Sequence, residues 1–110
     1  MHGRQKLCKL EVLDLKLNDL TGDITEIIDA LSCSNQSLRF LYLSYNQLTG
    51  KLPHSLGEFI SLVDLDLYIF PENSHTGVSG PIPTSIGNLS NLESLNLGNN
   101  MMNWTIPESI

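Results

Sequence analysis

One spacing of residues recurs along this chain and restricts its fold more than any bulk property. In the stretch LRFLYLSYNQLTGKLPHSLGEF, from Leu38 to Phe59, apolar side chains fall at Leu38, Leu41, Leu43, Leu48 and Leu52, with Asn46 among them. The phrase returns at Leu10, Leu13, Leu15, Asn18, Leu20, Gly22 and Ile24, and again at Leu92, Leu95, Leu97, Asn100, Met102 and the pair Ile106-Pro107. Another copy begins at Leu62, Leu65 and Leu67, loses register through Phe70 and Pro71, and recovers at Val78, Gly80, Ile82 and Pro83. The spacings are 28 residues from Leu10 to Leu38, 24 from Leu38 to Leu62 and 30 from Leu62 to Leu92, so two units carry insertions on a 24-residue base.

Each position in the phrase has a physical role. Side chains alternate along a strand, so leucines two apart point to one side, which becomes the interior of a coil. A single turn cannot cover its own leucines; stacked neighbours must do so. The asparagine follows the strand where the chain bends inward, and its amide both donates to and accepts from backbone groups that the bend leaves unpaired. Pro53, Pro83 and Pro107 fix φ and remove a donor, which suits extended segments and excludes long helices.

The longer form of the unit, L-x-x-L-x-L-x-x-N-x-L-x-G-x-L-P-x-x-L-G-x-F, resembles the plant type of leucine-rich repeat found in ectodomains of receptor-like proteins and receptor-like kinases and in secreted polygalacturonase inhibitors. The resemblance implies an α/β solenoid of about four repeats. A short parallel sheet should line its concave face, with irregular, 3-10 or helical turns on the convex side. Strands are expected at Val12 to Leu15, Phe40 to Leu43, Asp64 to Leu67 and Ser94 to Leu97. Residues 1–110 are read as a single leucine-rich repeat domain with repeats starting near Leu10, Leu38, Leu62 and Leu92, uncapped at both ends. The isolated chain is therefore expected to be marginally stable.

The composition, 41% hydrophobic and 16% charged, is that of a folded soluble domain. A net charge of −6 argues against nucleic acid as a partner, because phosphate binding needs a basic surface. The amino terminus, MHGRQKLCKL, lacks an apolar run long enough for a secretory signal, and no stretch approaches a membrane span. Full-length members of the group it resembles carry a signal peptide, a cap with paired cysteines, many repeats and often a membrane helix. The chain is accordingly read as an internal fragment or a truncated gene product.

The interruptions carry further expectations. Ile27, Ile28 and Leu31 predict a helical turn or two packed on the convex side, with Thr25 as its cap. In the insertion Tyr68 to Gly77, Phe70 occupies by count the position of Asn46 and cannot supply the amide; Asn73 would do so only if the loop folds back. The segment is read as a tolerated insertion rather than a ligand-reaching loop. Trp104 stands where Gly22, Gly50 and Gly80 stand in the other units, and would strain that turn if the position needs positive φ. Cys8 and Cys33 lack the spacing of a zinc or redox site. Their offsets from the repeat differ, which favours two half-buried free thiols over a disulfide.

His2, His54 and His75 are scattered and none lies beside a serine or cysteine in a nucleophile pattern. Asp64 and Asp66 share a strand face but read as two solvated carboxylates rather than a paired acid or metal site. No enzyme, metal or other cofactor is expected. What the repeats offer is a surface: the columns Val12, Phe40, Asp64 and Ser94; Asp14, Tyr42, Asp66 and Asn96; Lys16, Ser44, Tyr68 and Gly98; and Leu17, Tyr45, Ile69 and Asn99 are expected to face the concave side. Phe40, Tyr42, Tyr45 and Tyr68 beside Asp64 and Asp66 form the candidate ligand site, suited to a protein or peptide with basic and apolar groups. Asn35, Asn88 and Asn103 open sequons for N-glycosylation. By the resemblance, the parent protein binds a protein or peptide ligand at the extracellular side of the plasma membrane, with a co-receptor kinase as a further partner, in defence or developmental signalling. The alternatives are a secreted inhibitor of polygalacturonase type or a non-functional truncated product.

Overall fold

A computed structural model describes residues 8–70 and 77–103. The four expected strands form as β1 (Val12–Asp14), β3 (Phe40–Tyr42), β5 (Asp64–Asp66) and β7 (Ser94–Asn96). They lie in one parallel sheet in the order β1-β3-β5-β7. Equivalent positions sit directly opposite each other, with Leu13 paired to Leu41, Leu41 to Leu65 and Leu65 to Leu95. The solenoid thus follows from the leucine spacing, and the ladder continues past each strand through Leu15 N to Tyr42 O, Leu43 N to Asp66 O and Leu67 N to Asn96 O, each at 2.8 Å.

A second parallel sheet lies on the turn that follows, formed by β2 (Thr21–Asp23), β4 (Gln47–Lys51), β6 (Val78–Pro81) and β8 (Met101–Asn103). The leucine pattern alone anticipated only one sheet. Here the register steps by two residues per unit: Gly22 lies opposite Leu48, Gly50 opposite Val78 and Gly80 opposite Met102. Gly22, Gly50 and Gly80 all take positive φ, between +81° and +102°, a region costly for side chains with a Cβ. That makes the backbone requirement of the glycine column real; Trp104 itself lies outside the described residues.

Inside the coil, Leu38, Leu41, Leu43, Leu62, Leu65 and Leu67 are all buried to 2% exposure or less, and Leu56 and Phe59 close the convex side of the second unit. Full burial of each such side chain contributes roughly 1.5–3 kcal/mol. Their counterparts Leu10, Leu13, Leu15 and Leu20 in the first unit, and Leu92 and Leu95 in the fourth, are only partly buried because a neighbouring turn covers one side. Pro53 and Pro83 are extended, at ψ 157° and 141°, and each leads into a short 3-10 turn, His54–Glu58 and Thr84–Asn88. The two turns are joined by a Ser85 hydroxyl donating to His54 O at 2.7 Å.

The extra length of the first unit forms α1 (Ile24–Ala30), which buries Ile24 and Ile28. Its cap is Asp23 rather than Thr25: the Asp23 carboxylate accepts from Thr25 N at 2.8 Å, and Asp23 has the extended backbone that a cap requires. A 3-10 turn, Ser32–Ser34, follows and carries Cys33 to Cys8, with which it forms a disulfide across a Cα separation of 4.6 Å. The expectation of free thiols is overturned. Offsets counted from the leucines miss the pair because the backbone ahead of β1 is tied to the residues that follow Cys33: Leu10 N donates to Ser34 Oγ at 3.2 Å, and its O accepts from Ser37 Oγ at 2.8 Å.

Candidate functional site

The first sheet presents alternate side chains outward, and its zero-offset register decides which of them meet. Phe40 lies directly opposite Asp64, and Tyr42 opposite Asp66, so each ring of β3 has a carboxylate of β5 as its cross-strand neighbour. All four residues are half-buried. Within β3 the two rings stack at 6.2 Å with an interplanar angle of 23°. Two cations border this pair, Arg39 over the Phe40 ring and Lys16 over the Tyr42 ring, both at 5.2 Å. Lys16 also pairs with Asp14 at 3.4 Å, an exposed contact of little energetic weight.

Tyr45 and Tyr68 lie just beyond the strand ends. Their backbones are tied by Tyr45 N to Tyr68 O at 2.7 Å, and their rings meet edge to face at 5.6 Å. Phe70 adds a third ring, 4.6 Å from Tyr45. The structure therefore brings together all six expected site residues as two adjoining groups: Phe40, Tyr42, Asp64 and Asp66 on the strands, and Tyr45 and Tyr68 at the edge. It adds Phe70, Arg39 and Lys16, which the sequence reading did not place in the site. By count Phe70 marks only the place of a missing asparagine, Lys16 belongs to the third outward column without a binding role, and Arg39 is a neighbour of Phe40 outside every column.

Two expected surface positions turn inward. Ser44 is buried, and so is Ile69, at 3% exposure. Leu17, Tyr45 and Asn99, at the equivalent position in the other units, all take left-handed backbone with φ near +60°. A β-branched side chain resists that conformation, and Ile69 instead directs its side chain toward Gly77, where the chain re-enters the coil. The fourth column therefore does not form a continuous row: Leu17 is 65% exposed while Ile69 is interior.

The bend after each strand is held by amide side chains. Asn46, itself 2% exposed, donates to Leu15 O at 2.8 Å and Leu43 O at 3.1 Å, and its Oδ1 accepts from Asn18 N at 3.0 Å and Leu20 N at 2.9 Å. Asn100 does the same for the third unit, donating to Leu67 O at 2.8 Å and accepting from Val78 N at 2.9 Å. In addition, Asn99 donates to Ile69 O at 3.1 Å. Asn73 lies outside the described residues. Carboxylates and amides on the outer face have local work too: Asp14, Asp66 and Asn96 each accept from the backbone N two residues on, at 3.1 Å.

Asn88 is exposed at the end of a 3-10 turn, Asn35 is half-buried at the end of another, and Asn103 ends β8 with the rest of its sequon outside the described residues. An open groove of about 630 Å³ runs along the strand starts, lined by residues including Glu11, Ser37, Arg39, Ser61, Asn91 and Glu93, and shares Arg39 with the ring-and-carboxylate face. No helix among the described residues is long and apolar enough to cross a membrane.

This architecture defines a protein of stacked recognition repeats, and the chain belongs to the leucine-rich repeat family: family models for the leucine-rich repeat match residues 6–24, 37–59 and 91–110. More specifically, it is similar to plant receptor proteins. Receptor-like protein 35 of Arabidopsis thaliana is 45% identical over 92% of this chain, which spans 10% of that relative. Among solved structures, a TDR receptor superposes with a TM-score of 0.79 at 29% identity, over 94% of this chain and 16% of that one. A PEPR1–AtPEP1 complex gives a TM-score of 0.70 at 33% identity, over 89% of this chain and 12% of that one. Similarity to receptor proteins does not favour the polygalacturonase-inhibitor alternative.

Proposed function

We propose that this chain is a non-enzymatic recognition segment of a plant cell-surface receptor ectodomain, and that it takes part in binding a protein or peptide ligand through Phe40, Tyr42, Tyr45, Asp64, Asp66 and Tyr68. The observation that carries this reading is the register of β3 on β5, which sets two rings directly beside two carboxylates on one continuous face. Rings with little rotamer freedom to lose make good anchors, and the carboxylates favour a partner with lysine or arginine. The solved PEPR1–AtPEP1 complex supports a ligand on this type of scaffold, and the disulfide supports an oxidising, extracellular setting. A co-receptor kinase is a further partner of the parent protein on this reading.

The test is to place alanines at Tyr42, Tyr45 and Asp66 in the full-length parent receptor, verify folding, and measure ligand binding. A loss of at least tenfold is expected. Unchanged binding in the folded triple variant would make this segment a spacer and move recognition to other repeats.

A further inference from the structure

Three sequons occur in the sequence, and the fold treats the two that lie within the described residues differently. Asn35 ends the 3-10 turn Ser32–Ser34 with helical backbone, φ −65° and ψ −16°. Its N donates to Ser32 O at 3.2 Å and its O accepts from Ile60 N of the next unit at 3.1 Å. The sequon hydroxyl, Ser37 Oγ, is committed to Leu10 O at 2.8 Å and lies 3.3 Å from Ser34 O. Two residues before Asn35, Cys33 is anchored to Cys8. Asn88 also ends a 3-10 turn, and its O accepts from Ser90 N at 3.0 Å, but it is exposed where Asn35 is half-buried, and the hydroxyl of Ser90, also exposed, makes no hydrogen bond among the described residues. The equivalent residue in the preceding unit is Glu58, likewise exposed, so this position faces solvent in both turns.

We propose that Asn88, and not Asn35, is the N-glycan attachment site of this segment. In the reaction, the Asn88 side-chain amide nitrogen attacks C1 of a lipid-pyrophosphate-linked oligosaccharide. The new C–N bond forms as the C–O bond to the lipid pyrophosphate breaks, and the amide gives one proton to the transferase. That requires an asparagine amide and a hydroxyl two residues later that can both enter a foreign active site, which Asn88 and Ser90 satisfy. At Asn35 the same entry would have to break the Ser37 bond and unwind a turn anchored by a disulfide. Asn88 lies on the turn ahead of β7, six residues before Ser94, so a glycan there leaves the ring-and-carboxylate face of β3 and β5 uncovered.

The experiment is site-resolved glycan occupancy. The 110-residue chain carrying Asn103→Gln is secreted from plant cells behind a cleavable leader, and the monomer with the oxidised disulfide is isolated. Enzymatic deglycosylation in heavy-oxygen water then marks each occupied asparagine for peptide mass spectrometry. Occupancy at Asn88 should exceed that at Asn35 several-fold, and Asn88→Gln should abolish the glycosylated band while Asn35→Gln leaves it. In the Cys8→Ser/Cys33→Ser variant, read on cell-retained as well as secreted protein, occupancy at Asn35 should rise several-fold. Equal occupancy at the two sites in the oxidised monomer, or an unmodified Asn88, would overturn the proposal. Because the leader supplies the secretory route, the result is independent of whether the face proposed above binds a ligand.

Discussion

The second and third units start alike and diverge at one corner. Both place three leucines in the interior, both pair their first strand at zero offset, and both close with a proline followed by a 3-10 turn. After Tyr45 the second unit bends at once, with Asn46 bonding to five backbone groups of the first and second units. The third carries the same last ladder bond, Ile69 N to Gly98 O at 3.2 Å matching Tyr45 N to Tyr68 O at 2.7 Å, but has Phe70 where the second has Asn46. The third unit's bend is held by Asn99 and Asn100 of the following unit, as Asn46 holds that of the first. Each asparagine thus serves the unit before its own, so an amide at the position of Phe70 would serve the second unit rather than the third; the ring there instead joins Tyr45 on the surface.

The largest expected effects test what the two units share. Leu43→Ala and Leu67→Ala should each cost about 2–5 kcal/mol, because both side chains fill the interior. Tyr42→Ala, one residue away but on the outer face, should cost far less; denaturant midpoints separate them, and equal losses at Tyr42 and Leu43 would mean a register wrong by one residue. The first unit is also longer than the base repeat, but its extra residues are tied down, so Cys8→Ser/Cys33→Ser should lower stability by about 3 kcal/mol, as a disulfide closing a loop of this size predicts. Thermal unfolding with and without reductant checks it.

Where the units differ, the effects should differ. Asn46→Ala leaves the groups it served without a partner, at about 1–3 kcal/mol for each that stays buried. The corresponding change in the third unit, Phe70→Asn, should shift stability by less than about 1 kcal/mol, because Phe70 is 39% exposed and the chain has already left the ladder. A large gain from Phe70→Asn would show that the second unit's bend does lack an amide from that position.

The strand ladder and its outward residues were readable because leucines two apart define both the inner face and, by alternation, the outer one. Phe40, Tyr42, Asp64 and Asp66 follow from that single rule. The second sheet was not readable: Thr21, Gly22 and Asp23 are polar or flexible, and its two-residue stagger hides the pairing from an alignment of equivalent positions. Counting offsets from the leucines likewise concealed the Cys8–Cys33 pair. Ile69 was misplaced because counting positions ignores φ, and only the observed left-handed backbone of Leu17, Tyr45 and Asn99 distinguishes it from them.

The most direct measurement of where the ligand sits is photo-crosslinking in the full-length parent receptor. A photoreactive tyrosine analogue placed by Tyr68→analogue substitution, on the edge of the ring-and-carboxylate face, is compared with the same group at Asn88 on the outer turn. The account predicts a ligand adduct from position 68 and none from position 88. An adduct from position 88 alone, or from neither position while binding persists, would contradict it.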